Sequence, residues 1–329
     1  MPKKKLIIIG LLCCFIIILW IFIKQHHRLV HNIEHFHPSA FAKQIMVTRY
    51  DNDGNLATKL TTPKVLYFAN ETVLFLKPKL LIYQENQNPW IVTAHNGKTK
   101  KSFNRVTLSG DVSIAQKSGK NNPETHIQSS YLSISPKEKI AETNVFIDLN
   151  QRDQHANKLN INAIGMQANQ KSGTVNLLSD VNGYFIPHDS DQGGTVTFSV
   201  DRLKYNKNTG IGVYTGHAKV KQDQNKLMAE QIISYNDQSF HIVKVLAFGN
   251  PAYFETMPKN GQGLVYGTAD AIEYLPKEQI AILRGHANVK QGRNSVNSPL
   301  IIYNIQNGEV KTMTNAKNER TTIIFEPNQ

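Results

Sequence analysis

Cysteine is nearly absent from this chain of 329 residues. Its only two cysteines, Cys13 and Cys14, lie inside an apolar segment near the N-terminus. The rest of the chain therefore has no disulfide bond to stabilise its fold. Stability must come from an apolar core and from backbone hydrogen bonds, and the hydrophobic content of 40% is enough for such a core.

Catalytic motifs are lacking as well. The sequence contains no GxSxG motif, no HExxH motif and no phosphate-binding loop. The scattered acids Asp180, Asp201 and Asp270 stand at turns or strand starts, where we expect them to be solvated. The net charge of +12 permits an anionic partner, but there is no zinc finger or recognition helix for nucleic acid. We therefore predict a protein that is not an enzyme and binds no cofactor, metal or nucleic acid.

Long hydrophobic runs are limited to one, the uncharged segment Leu6–Ile23. As a helix its 18 residues would span about 27 Å, close to the hydrocarbon core of a bilayer. Lys3, Lys4 and Lys5 precede it, which predicts a cytoplasmic N-terminus and an exported remainder. A cleaved signal peptide is the alternative, but no small-residue cleavage pattern closely follows the run. We predict an uncleaved single-pass anchor in the inner membrane.

Beyond the anchor, short apolar runs alternate with polar residues and are separated by turn dipeptides. No amphipathic helix is evident there, and the runs have the period of two that is typical of half-buried strands. The dipeptides tolerate the positive φ of tight hairpins. They are Asp53-Gly54, Asn96-Gly97, Asn182-Gly183, Asn260-Gly261 and Asn307-Gly308. The pattern predicts an antiparallel all-β body.

Three segments of this body share one pattern. They read LSGDVSIAQ from Leu108, YTGHAKVKQ from Tyr214 and LRGHANVKQ from Leu283. Gly216 and Gly285 are separated by 69 positions, and the flanking Asp201 and Asp270 keep the same separation. Such constant spacing indicates a duplicated β-unit.

Residues two apart share one face of a strand, so each copy predicts one apolar inner face that includes its glycine. Stacked copies would align these faces into a continuous apolar stripe. A closed sandwich would make the stripe an ordinary core, whereas splayed sheets would make it an open trough. Small residues such as Gly110, Gly216 and Gly285 on that face would leave space in it. The pattern alone leaves both interpretations open.

The N-terminal part resembles LptC, the bitopic component of lipopolysaccharide transport. Its matching features follow the apolar anchor over residues 43 to 188. They are KPKLLIY (77–83), PWIVTAHNG (89–97), VTLSGDVSI (106–114), SSYLSISP (129–136), AIGMQA (163–168) and GTVNLLSDVNGYF (173–185).

The C-terminal part resembles LptA of the OstA-like family. The matching features are the two copies ending in GHAxVKQ, AFGNPAYF (247–254) and RTTIIFEP (320–327). Members of the two families are ordinarily separate chains, so the resemblance implies a fusion with a junction near HDSDQGG (188–194). It implies a cytoplasmic tip and anchor (1–28), a juxtamembrane linker (29–42), an LptC-like β-jellyroll (43–190) and an LptA-like β-jellyroll (191–329), docked edge to edge.

The resemblance also implies a function. Acyl chains of lipopolysaccharide would lie inside the rolls and its sugars outside, with energy supplied by an inner-membrane ATP-binding cassette transporter. We expect the trough lining to comprise Phe75, Leu108, Val112, Ile114, Ile134, Tyr214, Ala218, Val220, Val245, Phe248, Leu283, Ala287 and Val289.

Unpaired sheet edges are the expected docking surfaces, by strand addition. The first strand, with Ile45 and Val47, would face the transporter. The last, with Thr321, Ile323 and Phe325, would meet a further LptA-like unit or the outer-membrane acceptor. Gly165 matches an LptC glycine and stands either at the junction edge or at an ordinary bulge.

Two alternatives accompany this prediction. The first is a membrane-tethered structural β-scaffold with a closed core, which would bind partners but no lipid. The second is an anchored hydrolase or lipid-modifying enzyme, against which the missing catalytic motifs argue. Near the anchor, His27, His31 and His35 would share one helix face. Three imidazoles can hold zinc, but we favour a solvated helix end at the level of the headgroups.

Overall fold

The structure, a computed structural model, describes residues 37–120, 122–188, 194–237, 241–258, 263–313 and 320–325. The predicted anchor Leu6–Ile23 and the histidines His27, His31 and His35 lie outside these residues. Within the described ranges, no helix is long and apolar enough to cross a membrane.

The regular structure of the described residues is entirely β. The strands in chain order are β1 (Ala40–Tyr50), β2 (Leu56–Tyr67), β3 (Thr72–Leu76), β4 (Lys79–Gln84), β5 (Gln87–Thr93), β6 (Asn96–Lys100), β7 (Val106–Gln116), β8 (Glu124–Ser135), β9 (Ile140–Arg152), β10 (Lys158–Asn169), β11 (Thr174–Ile186), β12 (Val196–Val200), β13 (Arg202–Asn206), β14 (Ile211–Gln222), β15 (Asn225–Asn236), β16 (Ile242–Thr256), β17 (Val265–Leu275), β18 (Ile280–Gln291), β19 (Asn294–Asn304), β20 (Val310–Met313) and β21 (Thr322–Ile324). The predicted all-β class is therefore confirmed.

All strand pairings are antiparallel and join the strands into one sheet. Long consecutive strands form a meander from β7 to β11 and again from β14 to β19. Two short strands often share one long neighbour: β11 pairs with both β12 and β13, and β19 with both β20 and β21. The ladder thus continues across the predicted junction, whose 189–193 stretch lies outside the described residues.

A line of β-bulges crosses the long strands near their middles. The register shifts between Ser109 and Val112 in the β7–β8 pair. The equivalent shifts fall between Thr215 and Ala218 for β14–β15 and between Arg284 and Ala287 for β18–β19. A bulge bends its strand and increases the local twist. We call this line the crease.

The sheet folds back on itself at the crease. The first layer includes residues 106–109, 211–215 and 280–284, and the second layer includes residues 112–116, 218–222 and 287–291. Phe198 of the second layer contacts Tyr214 of the first, with ring centroids 6.2 Å apart. Phe254 and Tyr303 make a similar contact at 5.9 Å. The two layers therefore face each other and form a roll.

The three repeated glycines lie at the crease with positive φ: 75° at Gly110, 85° at Gly216 and 71° at Gly285. The residue after each, Asp111, His217 or His286, also has positive φ. A Cβ on Gly216 or Gly285 would meet the side chain of Asp201 or Asp270, which are 55% and 53% exposed.

The glycines therefore face the outer side of the roll, and their predicted place on the inner face was wrong. The extra residue of each bulge breaks the strict alternation on which that prediction depended.

An Asp–His pair caps each of these bulges on the outer side. His217 Nδ1 lies 2.9 Å from Asp201 Oδ2, and His286 Nδ1 lies 2.9 Å from Asp270 Oδ2. The N-terminal copy has the two residue types exchanged, with His95 Nε2 at 3.2 Å from Asp111 Oδ2. The duplicated unit is therefore a strand pair bent at one bulge, with its capping residues included.

Small side chains line the inner side of the crease in the C-terminal half. Cross-strand pairs there are Ala218 with Ala229, Ala252 with Ala269 and Ala287 with Ser298. The same row in the N-terminal half alternates larger residues, Val112 and Ile147, with the small Ser129 and Ala163. The row of small residues is therefore more complete in the C-terminal half.

We expect a side chain added at a crease glycine to lower the stability of the fold. Gly285→Ala should lower the free energy of unfolding by about 1–2 kcal/mol from its positive φ, and further because the new methyl group meets Asp270. Gly292→Ala is the matched control, since its φ is 58° but a Cβ there would meet nothing within 4 Å. Urea unfolding of the purified protein, followed by circular dichroism, measures both.

Gly285→Ala should lose more free energy of unfolding than Gly292→Ala. The double variant Gly285→Ala/Asp270→Ala should recover this additional loss. Equal losses for the two single variants would contradict the packing of Asp270 against the crease.

Candidate functional site

The inner face of the roll is one continuous apolar surface. A single cluster of buried residues begins at Val92 and Ala94 and continues through the two meanders, β7 to β11 and β14 to β19, to Ile301 and Tyr303. Its members are at most 8% exposed. A smaller cluster of Val65, Val73 and Phe75 lies beneath β1. The main cluster includes residues on both sides of the predicted junction, so the two halves share their interior.

Most of the predicted lining residues lie on this inner face. Leu108, Val112, Ala218, Leu283, Ala287 and Val289 are buried members of the main cluster. Ile114, Ile134, Tyr214, Val220 and Val245 are partly buried and pack against it. Phe75 belongs to the smaller cluster instead.

Phe248 is the exception. Its side chain is 38% exposed, whereas the neighbouring Ala247 is fully buried. Because successive residues of a strand face opposite sides, Phe248 lies on the outer face. The expectation that it faces the interior was wrong, because Phe248 stands an odd number of residues after Val245, which packs against the interior, and such a spacing in a strand places two side chains on opposite faces.

Several inner residues of the C-terminal half were not among the predicted lining residues. Ala252, Phe254, Ala269, Ile301 and Tyr303 are buried members of the cluster. Ala252 and Phe254 are two residues apart, as are Ile301 and Tyr303, and this spacing indicates one face of a strand. In β16 the spacing identifies the inner face only when the position of the bulge is known.

The interior is uncharged. Among the described residues, the buried polar side chains are those of Thr, Ser, Asn and Gln, with no Asp, Glu, Lys, Arg or His. Burial raises the pKa of Tyr205, Tyr214, Tyr274 and Tyr303 above the usual value of 10.0, so their hydroxyl groups stay neutral. Such a surface suits a hydrocarbon ligand and offers no site for a charged one.

The predicted docking edges differ in their surroundings. In the described part of the chain β1 pairs only with β2, and Val47 on it is exposed, while Ile45 packs against the smaller cluster. At the other end Ile323 and Phe325 are 65% and 71% exposed. Thr321, just before β21, has its Oγ1 at 3.0 Å from Ser298 Oγ.

Gly165 does not lie at an edge. It stands in β10 between β9 and β11, at a register shift between Ile164 and Met166. Its φ is 82°, and a Cβ would approach Leu178 to about 3.0 Å. The structure therefore supports a bulge glycine inside the sheet, and the edge prediction for Gly165 was wrong.

One ion pair on the outer face has shifted pKa values at its carboxylate and at a neighbouring tyrosine. The Glu255 carboxylate accepts hydrogen bonds from Tyr253 Oη at 2.8 Å and from Lys226 Nζ at 3.2 Å. These contacts lower the pKa of Glu255 from its usual 4.5. Burial and the bond to Glu255 raise the pKa of Tyr253 to about 12.

We expect Glu255 to contribute to acid sensitivity. Because its pKa is lower in the folded state, its contribution to stability is complete above the unfolded value and is lost as pH falls through the folded value. Between about pH 5 and pH 3, the melting temperature of Glu255→Gln should therefore fall less than that of the unmodified protein. Glu230→Gln, which removes an exposed carboxylate from β15, is the control and should keep the original slope.

Comparison with known proteins agrees with these features. Residues 6–186 match the family described as lipopolysaccharide-assembly, LptC-related. Residues 199–309 match the family described as LptA/(LptD N-terminal domain) LPS transport protein. The order of the two matches is the one that the sequence motifs predict.

A curated relative is similar to part of the chain. The lipopolysaccharide export system protein LptH of Pseudomonas aeruginosa is 26% identical over 121 residues, which are 37% of this chain and 68% of LptH. The crystal structure of LptH, described as the LptA homologous periplasmic component of that organism's lipopolysaccharide transport device, aligns with a TM-score of 0.38 and 22% identity. The alignment covers 43% of this chain and 100% of LptH.

The LptC match alone spans more than half of the chain, and the LptA-type match follows directly behind it. The chain therefore belongs to the LptC-related lipopolysaccharide-assembly family and carries an LptA-like segment fused to its C-terminal side.

Proposed function

We propose that this protein shelters the acyl chains of lipopolysaccharide inside the roll and bridges the inner-membrane transporter towards the outer membrane. It catalyses no reaction in this role. The observation that carries the proposal is the uncharged apolar interior, which continues from Val92 to Tyr303 across both family segments. A single path of this kind suits a ligand that enters at one end and leaves at the other.

The energetics favour movement along such a path. At about 25 cal/mol per Å² of apolar area, sheltering even one acyl chain from water is worth several kcal/mol. An interior that is equally apolar along its length keeps this free energy nearly constant from strand to strand. The ligand then meets no deep minimum in which it would be held.

Entry of acyl chains requires the two layers to part. Lining residues such as Leu283 and Ile301 are fully buried in the closed roll. The strand pairings lie within each layer, and contacts such as Phe254 with Tyr303 connect the layers opposite the crease. Separating the layers therefore exchanges side-chain contacts for acyl-chain contacts and leaves the backbone ladders intact.

The fusion supplies the first part of the bridge. We assign residues 43–190 and 191–329 to two docked units, anchored by Leu6–Ile23 with the bulk of the chain in the periplasm. Strand β11 of the first unit pairs with β12 and β13 of the second, from Val181↔Val200 to Thr174↔Asn206. A covalent connection keeps the effective concentration of the two units high, of order mM for a short linker.

The unpaired edges provide the remaining contacts. By strand addition, β1 would join the periplasmic part of the transporter, and the region of β21 would join a further LptA-like unit or the outer-membrane acceptor. The exposed apolar residues Val47, Ile323 and Phe325 at these edges support such docking.

A closed structural scaffold is the second candidate. The complete burial of Leu283, Ala247 and Ile301 supports it, because a permanently closed core would also bury these residues completely. The two candidates differ in whether lipid reaches the inner face.

In-cell photocrosslinking distinguishes them. A photoreactive residue replaces Ile114 or Val220, which pack against the interior, and in separate strains Ser113 or Lys221, which neighbour them on the outer face. We expect lipopolysaccharide adducts at Ile114 and Val220 and few at Ser113 and Lys221. Adducts at both inner positions would indicate that one lipid path includes both family segments.

If neither inner position gives adducts in a folded and abundant protein, the scaffold function is favoured and lipid transport through the roll is excluded. Adducts at Ile114 alone would limit the path to the LptC-like half.

A further inference from the structure

An open pocket of about 240 Å³ lies on the outer face of the second layer in the N-terminal half. It is formed where β8 begins, β9 ends and β10 begins, far from the crease. Eight of its nine lining residues carry a polar or charged side chain, which distinguishes it from the interior beneath. The lining residues are Glu124, His126, Asn150, Gln151, Arg152, Lys158, Leu159, Asn160 and Tyr184.

Two cations stand side by side in this pocket. Arg152 and Lys158 are cross-strand partners in the β9–β10 pair, and Glu124 is the partner of Arg152 on β8. The pocket thus holds two basic side chains and one acidic side chain. In the described residues, neither cationic side chain makes an ion pair or side-chain hydrogen bond. Arginine and lysine in this arrangement are suited to bind a phosphate group.

A network of amides fixes the next row of the pocket. Asn160 Nδ2 donates to Asn150 Oδ1 at 2.9 Å and to Asp148 Oδ1 at 2.8 Å. Asn150 Nδ2 donates to Asp148 Oδ1 at 3.1 Å. The amides are therefore held in place, while each carbonyl oxygen keeps a second lone pair. Fixed acceptors at the spacing of neighbouring strands can receive the hydroxyl groups of a saccharide.

Ring side chains complete the same row. Tyr184 pairs with Asn160 and is 40% exposed, and His126 pairs with Asn150. His126 Nε2 lies 3.0 Å from Ser113 Oγ, which fixes the imidazole. An exposed tyrosine beside fixed amides offers a flat apolar surface and a polar hydroxyl group to one ligand.

The pocket is close to the apolar interior. Leu159 lines it and also packs against the main cluster. Because β8 begins at Glu124 and β10 at Lys158, the pocket stands at the rim where the second layer ends. An amphipathic ligand held at this rim could place its polar end in the pocket and its hydrocarbon between the layers.

We propose that this rim pocket binds the phosphorylated saccharide headgroup of the lipid whose acyl chains occupy the roll. Arg152 and Lys158 bind the phosphate, and Asn150, Asn160 and Tyr184 contact the sugar. The proposal rests on the proposed function, since it names the polar part of the same ligand. It gives the LptC-like half a headgroup site in addition to its apolar lining.

The test uses the full chain in non-ionic detergent and a phosphorylated oligosaccharide obtained by complete deacylation of lipopolysaccharide. Without acyl chains this probe cannot be held by the interior, so calorimetric titration reports on binding at the outer surface. We expect saturable binding that weakens about tenfold or more in Arg152→Gln/Lys158→Gln, because two charge-assisted contacts are lost. Tyr184→Ala should also weaken it.

The matched control is Arg202→Gln/Lys204→Gln. It removes one arginine and one lysine from the exposed side of β13, with the same loss of charge. We expect it to bind like the unmodified protein. Equal weakening by both double variants would overturn the proposal in favour of general electrostatic attraction, as would the lack of saturable binding by the unmodified protein.

Two further probes separate the parts of the ligand. A dephosphorylated oligosaccharide that binds equally well would overturn the role of Arg152 and Lys158. Inorganic phosphate that binds as tightly as the oligosaccharide would overturn saccharide recognition. Photocrosslinking at Ile114 and Val220 is independent of these results, because it reports acyl chains in the interior, so failure of the pocket is distinguishable from failure of the proposed function.

Discussion

The crease is the constraint on which the rest of the structure depends. A single antiparallel sheet without helices can bury one face only by folding back on itself. Bulges at matching positions, such as Gly110, Gly216 and Gly285, bend the long strands of both meanders on one line. The bend places Phe254 against Tyr303 and Phe198 against Tyr214, and it thereby creates the interior. Loss of the alignment between bulges would divide that interior.

Continuity of the crease also explains how two families can share one chain. Strand β11 pairs with β12 on one side of the bend and with β13 on the other, and Asp201 lies between those two short strands. The first and second layers therefore both continue into the C-terminal half. Since the interior has no buried charge among the described residues, the fusion joins two apolar spaces without a polar barrier.

The sequence predicts the strands and most of the inner face, because the period of two and the repeated segments are local signals. Leu108, Ala218 and Leu283 lie inside as the repeats indicate. The error at Gly216 arises because a bulge shifts the alternation by one residue. Its position depends on which neighbour each strand pairs with. The rim pocket was missed for a similar reason, as His126, Arg152 and Tyr184 meet only through the register of four strands.

The proposed transport depends on where the hydrogen bonds and the apolar contacts lie. Hydrogen bonds connect strands along each layer, whereas the layers touch opposite the crease through apolar side chains. Parting the layers costs hydrophobic contact, which an acyl chain replaces at similar free energy per unit area. The outer face stays polar through this change, because Asn150, Asn160 and Lys158 belong to one layer. In the proposed function the roll therefore opens to lipid along its rim while its ladder of backbone hydrogen bonds, and with it the proposed bridge, remains intact.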